Sequence, residues 1–221
     1  MNLFFDIETY ADVNSVLLEK QMADISAPSN YKDPVKISSY IEEQKKKVMS
    51  ELALSPMTGK IITIGMMDDT GKLFQLSPEL DEEKMLTKFW TEFGEIFENN
   101  AKVRLVTFNG KKFDLPFLLI RTAKLMIQKP ESLDLFIPSD YLKKYDTQFH
   151  FDLYENHFSA FKGGLKAWAS FFLDADYESG AQVAEMYESG RYSEIVEYNY
   201  RDLLRTKGLY DSIKHWVGYD K

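Results

Sequence analysis

The sequence predicts an α/β protein, a central mixed sheet of five strands flanked by helices, in one domain spanning residues 1–221. Three observations predict it. Segments of strand and helix character follow one another in the order β-β-β-α-β-α-β-α, which suits a mixed sheet with helices on its faces. A chain of 221 residues that is 44% hydrophobic and 14% aromatic can bury one large core. No repeat, low-complexity tract or interdomain linker divides it.

Leu3 to Ile7 is a run of large apolar residues with the length of a buried strand, interrupted by acid at Asp6 and followed by Glu8. In an extended chain that spacing puts Asp6 and Glu8 on one face and Phe5 and Ile7 on the other. After Thr9 the sequence turns polar, and 27–34 reads as a loop. Residues 37–52 then have helical spacing at Ile37, Tyr40, Ile41, Val48, Met49 and Leu52, with Glu42, Glu43 and Lys45 to Lys47 on the exposed side. Residues of about 11–57 thus form an insertion of a loop and a helix, which either covers a cleft or packs on its rim.

Ser55 to Gly59 is a turn, and 60–67 with 72–76 read as a hairpin turning at Asp68 to Gly71. A helix begins between Pro78 and Asp81 and reaches about Phe97, apolar at Leu86, Phe89, Trp90 and Phe93. Val103 to Phe108 is the fourth strand, and Asp114 to Met126 a helix with Pro116 in its first turn. Residues 130–144 are irregular, and Phe149 to Leu153 form a short strand. Leu165 to Phe172 is a helix behind Gly163-Gly164, Gln182 to Tyr187 a shorter one, and Tyr192 to Val217 the last and longest. Ile195, Tyr198, Asp202, Leu209, Ile213 and Trp216 lie near one stripe of that last helix.

Composition narrows the function. Without cysteine there is no disulfide framework and no thiolate metal site. A strand beginning at Leu3 leaves no room for a signal peptide, and no apolar run reaches membrane-spanning length, so a cytoplasmic protein with no membrane partner is expected. A net charge of −8 argues against broad adhesion to nucleic acid, but not against an enzyme whose acids hold cations that in turn hold phosphates.

Two acids facing the same way out of an apolar strand repel one another and lose hydration; a bound cation relieves both, as does an edge strand open to water. In Thr107 to Phe117, a strand end passes through a glycine turn into a helix, and Asp114 falls at the helix start, as a ligand or as a plain N-terminal anion. Tyr198 and Asp202 share a face at i, i+4, and an acid in that apolar stripe needs a metal or a basic partner. Asp152 stands at a strand end, as a cap or as part of a site. Lys111, Lys112, Lys162 and Lys166 could contact phosphates or simply solvate a face.

Taken in order, Asp6-x-Glu8, Asn109-x-x-x-Phe113-Asp114 and Tyr198-x-x-x-Asp202 resemble the three motifs of the DEDDy 3′→5′ exonucleases. TFNGKKFDLPFL is most similar to the proofreading domain of family B DNA polymerases, and residues 53–65, ALSPMTGKIITIG, resemble the segment before its second strand. The resemblance implies an RNase H-like fold in which Asp6, Glu8, Asp114 and Asp202 hold two divalent cations, Mg²⁺ or Mn²⁺ as suits all-oxygen ligands. It implies that Tyr198 positions the attacking water, and that Asn109 and Phe113 shape the cleft for the terminal nucleotides, the alternatives being a cap for the turn and a core residue; Thr9 and Lys111 are further expected substrate-binding residues. The family's histidine variant would carry its histidine where Glu197 stands, so His150, His157 and His215 are structural or surface residues.

The implied function is removal of nucleoside 5′-monophosphates from DNA 3′ ends, single-stranded or frayed, as in proofreading or repair. An exoribonuclease of the same fold and a non-catalytic binder of nucleic-acid ends are the alternatives. With no room for a polymerase domain, the protein acts alone or in trans with a polymerase or helicase.

Overall fold

The computed structural model describes residues 1–173 and 183–217. The strands are β1 (Asn2–Ala11), β2 (Gly59–Asp68), β3 (Leu73–Leu76), β4 (Arg104–Thr107) and β5 (His150–Asp152). The helices are α1 (Val16–Ala23), α2 (Pro34–Ala53), α3 (Glu82–Glu98), α4 (Asp114–Lys124), the single turn α5 (Pro138–Tyr141), α6 (Leu165–Leu173), α7 (Val183–Glu188) and α8 (Tyr192–Val217). Among the described residues no helix is long and apolar enough to cross a membrane.

One mixed sheet runs in the order β3-β2-β1-β4-β5, with β1 at its centre. The first three strands are antiparallel neighbours, whereas β4 joins β1 and β5 joins β4 in parallel. The period-2 pattern of β1 sorts its side chains between two layers. Leu3, Phe5 and Ile7 enter a core with α3 and α4, built from Phe89, Trp90, Phe93, Leu115, Phe117 and Leu118 among others. Phe4 faces the other way, into a core with Leu203, Leu209 and Tyr210 of α8, and Asp6 and Glu8 continue its row.

Two buried ion pairs brace the frame. Arg121 of α4 donates to Glu82 of α3 at 2.8 and 2.5 Å and to the Pro56 carbonyl at 3.1 Å, while Glu82 accepts the Ile61 N–H at 2.8 Å. One guanidinium fork thus ties both helices, the insertion and β2 together. The Lys111 ammonium donates to the carbonyls of Lys143 and Asp146 at 2.9 and 2.6 Å and to Glu155 at 3.1 Å.

Several elements depart from the sequence expectation. β1 extends to Ala11, because β2 stays paired with it as far as Gly59. The insertion holds a second helix, α1, whose only buried residue is Leu18 and whose Ser15 makes no side-chain cap, so it left little trace in the pattern. Leu18 and Leu52 pack on Ala11, which seats the insertion at that end of β1. The stretch read as irregular contains α5, where Tyr141 donates its hydroxyl to the Val103 carbonyl. Gln182, the expected start of the seventh helix, lies outside the described residues.

The loop from β4 to α4 is shaped by Asp152. Its buried carboxylate accepts the N–H groups of Asn109 at 2.8 Å, Lys111 at 3.0 Å, Tyr154 at 3.0 Å and Glu155 at 3.2 Å. Removing it would orphan four donors at once, two of them in buried bonds. Asp152→Ala is therefore expected to cost about 3 kcal/mol or more in chemical denaturation, against less than about 0.5 kcal/mol for the exposed neighbour Lys112→Ala. Equal stabilities for the two variants would show that this carboxylate does not organise the loop.

Candidate active site

Asp6 and Glu8 project from the α8 side of β1, half-buried. Pairing between β1 and β2 slips at Glu8/Thr9, where Thr63 and Ile61 are the successive partners and Ile62 is the extra residue. Such a bulge re-aims the side chains beside it. Past Phe4↔Val106 the β4 edge of β1 is unpaired, and there the first residue of α4, Asp114, accepts the Ile7 N–H at 3.1 Å. The strand therefore orients the carboxylate that the helix start supplies.

α8 covers the other side. Tyr198 and Asp202 are both buried, one turn apart as their i, i+4 spacing requires. Asp202 accepts from Arg205 at 2.7 Å, so the basic partner foreseen as an alternative to a metal is present. The Lys166 ammonium of α6 lies 4.1 Å from the centre of the Tyr198 ring and donates to its hydroxyl. Asn199, between the two motif residues, donates to Asp6 Oδ2 at 2.8 Å.

The carboxylates sense one another. Burial pushes the Asp6 and Glu8 carboxyls well up from the usual range, and the charges of the remaining acids push them further. Burial raises Asp114 to about 7 against the Ile7 N–H, and raises Asp202 against Arg205. Burial, then the nearby acids, also raises the Tyr198 phenol, which stays protonated at neutral pH.

Four carboxylates and no nitrogen or sulfur ligand make a donor set for hard divalent cations. Their mutual repulsion and lost hydration are what such cations would relieve. On donor chemistry the residues fit. Among the described residues no three acid or histidine side chains already form a ligand cage, so the carboxylates would have to converge on an ion to hold it.

The expected substrate-binding residues are placed unequally. Thr9 is half-buried beside the bulge. Asn109 turns the loop with a φ of 70°, a left-handed conformation that asparagine tolerates. Its carbonyl accepts from Lys112 and Phe113, while Phe113 lies half-buried, 5.5 Å from the Phe117 ring. Lys111 is a correction: its ammonium is spent in the buried pair with Glu155 and two carbonyls, and cannot reach a phosphate. Lys112 and Lys162 are exposed.

Asp152 is the cap of its loop, and its carboxylate serves backbone N–H groups. His150 is structural, its ring nitrogens bound to Thr107 Oγ1 at 2.8 Å and the Tyr141 carbonyl at 2.9 Å, and burial pushes it down to about 3. Sequence reasoning assigned nothing to Asn199, Arg205 or Gly65. A glycine inside a strand, which marks a close approach of another group, was the one signal available.

A family model described as "Predicted 3'-5' exonuclease related to the exonuclease domain of PolB" matches residues 39–219. The chain belongs to this exonuclease family. The match contains Asp114, Tyr198 and Asp202 and starts after Asp6 and Glu8, so those two acids rest on the geometry given above. The family B DNA polymerase of the hyperthermophilic archaeon Pyrobaculum calidifontis superposes with a TM-score of 0.59 at 17% identity, over 96% of this chain and 24% of the polymerase. That likeness carries the fold, the expected RNase H-like α/β sheet. The exonuclease chain spans about a quarter of the polymerase's length. No curated protein gives a significant match.

The raised carboxyls carry a pH signature. In the folded chain they keep protons that the unfolded chain has released, so their stabilising contribution is full below about pH 4 and falls as pH rises, for Asp114 through about 7. His150 works oppositely, costing stability as pH falls below about 6.5, and is common to every variant. In metal-free buffer, the melting temperature of Asp6→Ala minus that of the unchanged protein should therefore grow by about 2–4 °C between pH 5 and pH 8. A difference independent of pH would mean that neither burial nor the neighbouring acids raise the Asp6 carboxyl.

Proposed function

We propose that this exonuclease uses two divalent cations, held by Asp6, Glu8, Asp114 and Asp202, to hydrolyse the terminal phosphodiester at single-stranded DNA 3′ ends, releasing nucleoside 5′-monophosphates. One observation carries the reading: four mutually repelling carboxylates and a protonated phenol gathered between β1, α4 and α8. Such a cluster costs stability unless cations occupy it. When bound, divalent cations there would lower the pKa of an attacking water, polarise the phosphate and neutralise the leaving 3′ oxygen.

The chain's own residues do the rest. The carboxylates act as ligands and need not transfer protons, so no histidine is required. Arg205 orients Asp202 through its 2.7 Å bond. Tyr198, protonated and with its oxygen engaged by Lys166, is a poor base and orients the attacking water by hydrogen bonding. Thr9, Asn109 and Phe113 are assigned to contacts with the terminal nucleotides, by stacking and hydrogen bonding. A net charge of −8 leaves little diffuse attraction, which suits recognition of an end over coating of a duplex. A polymerase or helicase acting in trans would supply frayed ends.

The test is incubation of 3′- and 5′-labelled DNA and RNA oligomers with Mg²⁺, Mn²⁺ or EDTA. Mononucleotides should leave the DNA 3′ end only with metal. Metal-independent cleavage, attack from the 5′ end, or faster removal from RNA would overturn the corresponding part.

Tyr198→Phe keeps the ring and removes the hydroxyl. Its turnover on the labelled DNA should fall roughly ten- to a thousandfold with stability nearly unchanged. Tyr200, whose ring packs in the core on the other side of the helix, is the control, and Tyr200→Phe should keep its rate. The reverse outcome would show that the motif register is wrong.

A further inference from the structure

Asn199 occupies an unspecified position of Tyr198-x-x-x-Asp202, yet it is fully buried. Its Nδ2 donates to Asp6 Oδ2 at 2.8 Å and to the Asp6 main-chain carbonyl at 3.2 Å. One amide thus grips two oxygens of the same residue, which restrains both side-chain torsions of Asp6.

The direction of that amide is determined twice. A carbonyl can only accept, so the Asp6 carbonyl requires the nitrogen of Asn199 to face it. On the far side, Gln75 of β3 donates from Nε2 to the Val196 carbonyl at 2.9 Å and to Asn199 Oδ1 at 3.1 Å. The Val196 carbonyl fixes which end of Gln75 points inward, and Gln75 then fixes the oxygen of Asn199. Gly65, directly opposite Asp6 in β2, makes the approach possible, because a Cβ there would run into Asn199 Oδ1. Residues on β1, β2, β3 and α8 therefore converge on the pose of one carboxylate.

Resting on the two-cation reading above, we infer that Asn199, held by Gln75 and admitted by Gly65, is a positioning residue that fixes the Asp6 carboxylate for divalent-cation binding. Partners that orient a ligating group commonly change metal affinity by ten- to a hundredfold when removed. The hydrogen bonds of Gln75 go to the Val196 carbonyl and to Asn199, so its removal reaches Asp6 through Asn199.

The experiment measures Mn²⁺ binding by electron paramagnetic resonance on the unchanged protein, Asn199→Leu and Gln75→Leu, with melting curves in EDTA to establish that each is folded. Asn199→Leu should raise the Mn²⁺ Kd about tenfold or more, and Gln75→Leu should raise it less, in the same direction. Part of the lost nuclease rate of Asn199→Leu should return at high Mn²⁺. A residue that merely filled space would lower the melting temperature and leave the Kd alone. Folded Asn199→Leu with an unchanged Kd overturns the inference; if that variant does not fold, an unchanged Kd in Gln75→Leu does so. Failure of the unchanged protein to bind Mn²⁺ would sink the two-cation reading itself, whereas tight binding by all three proteins sinks only the role of Asn199.

Discussion

Like charges brought onto neighbouring elements and deprived of hydration are the constraint on which the rest of this molecule depends. Asp6, Glu8, Asp114 and Asp202 come from β1, α4 and α8, and each is pushed toward its neutral form by burial, with the other acids adding to this at Asp6 and Glu8. Nothing in local propensity would gather them. The energy that does so is elsewhere, in the two apolar layers that clamp β1 between α3 and α4 on one face and α8 on the other. The site is thus a local loss sustained by a global gain, the usual condition of a functional centre.

Around that centre, polar side chains serve chiefly as anchors for backbone. Asp152 gathers four N–H groups of the loop and turn beside it. Thr107 accepts the Gly110 N–H at 3.1 Å and in turn meets His150, which leans on the Tyr141 carbonyl. Lys111 ties the same loop to the segment before β5. The loop that delivers Asp114 is held from three sides, so the acid at its end is placed by a stiff support.

Much of this was legible in the sequence, for physical reasons. The period of two in β1 put Asp6 and Glu8 on one face, and the helical period put Tyr198 over Asp202. Both periods are strictly local, so they survive translation into three dimensions. Lys111 was misread because burial is not local: its charge is absorbed by carbonyls from 143 and 146, a stretch without periodicity. Asn199 escaped for the same reason, its partners Asp6 and Gln75 lying 193 and 124 positions away. α1 was missed because a short, mostly exposed helix has little pattern to show.

The separation of Asp6 from α8 has a bearing on when in folding the candidate site can form. Asn199 and Asp6 lie 193 positions apart, so a long loop must close before α8 docks beside β1. Until then the acids of β1 and α4 stand without Asp202. The carboxylate cluster is therefore among the last features that folding completes, and its repulsion is felt only once the apolar layers are there to oppose it.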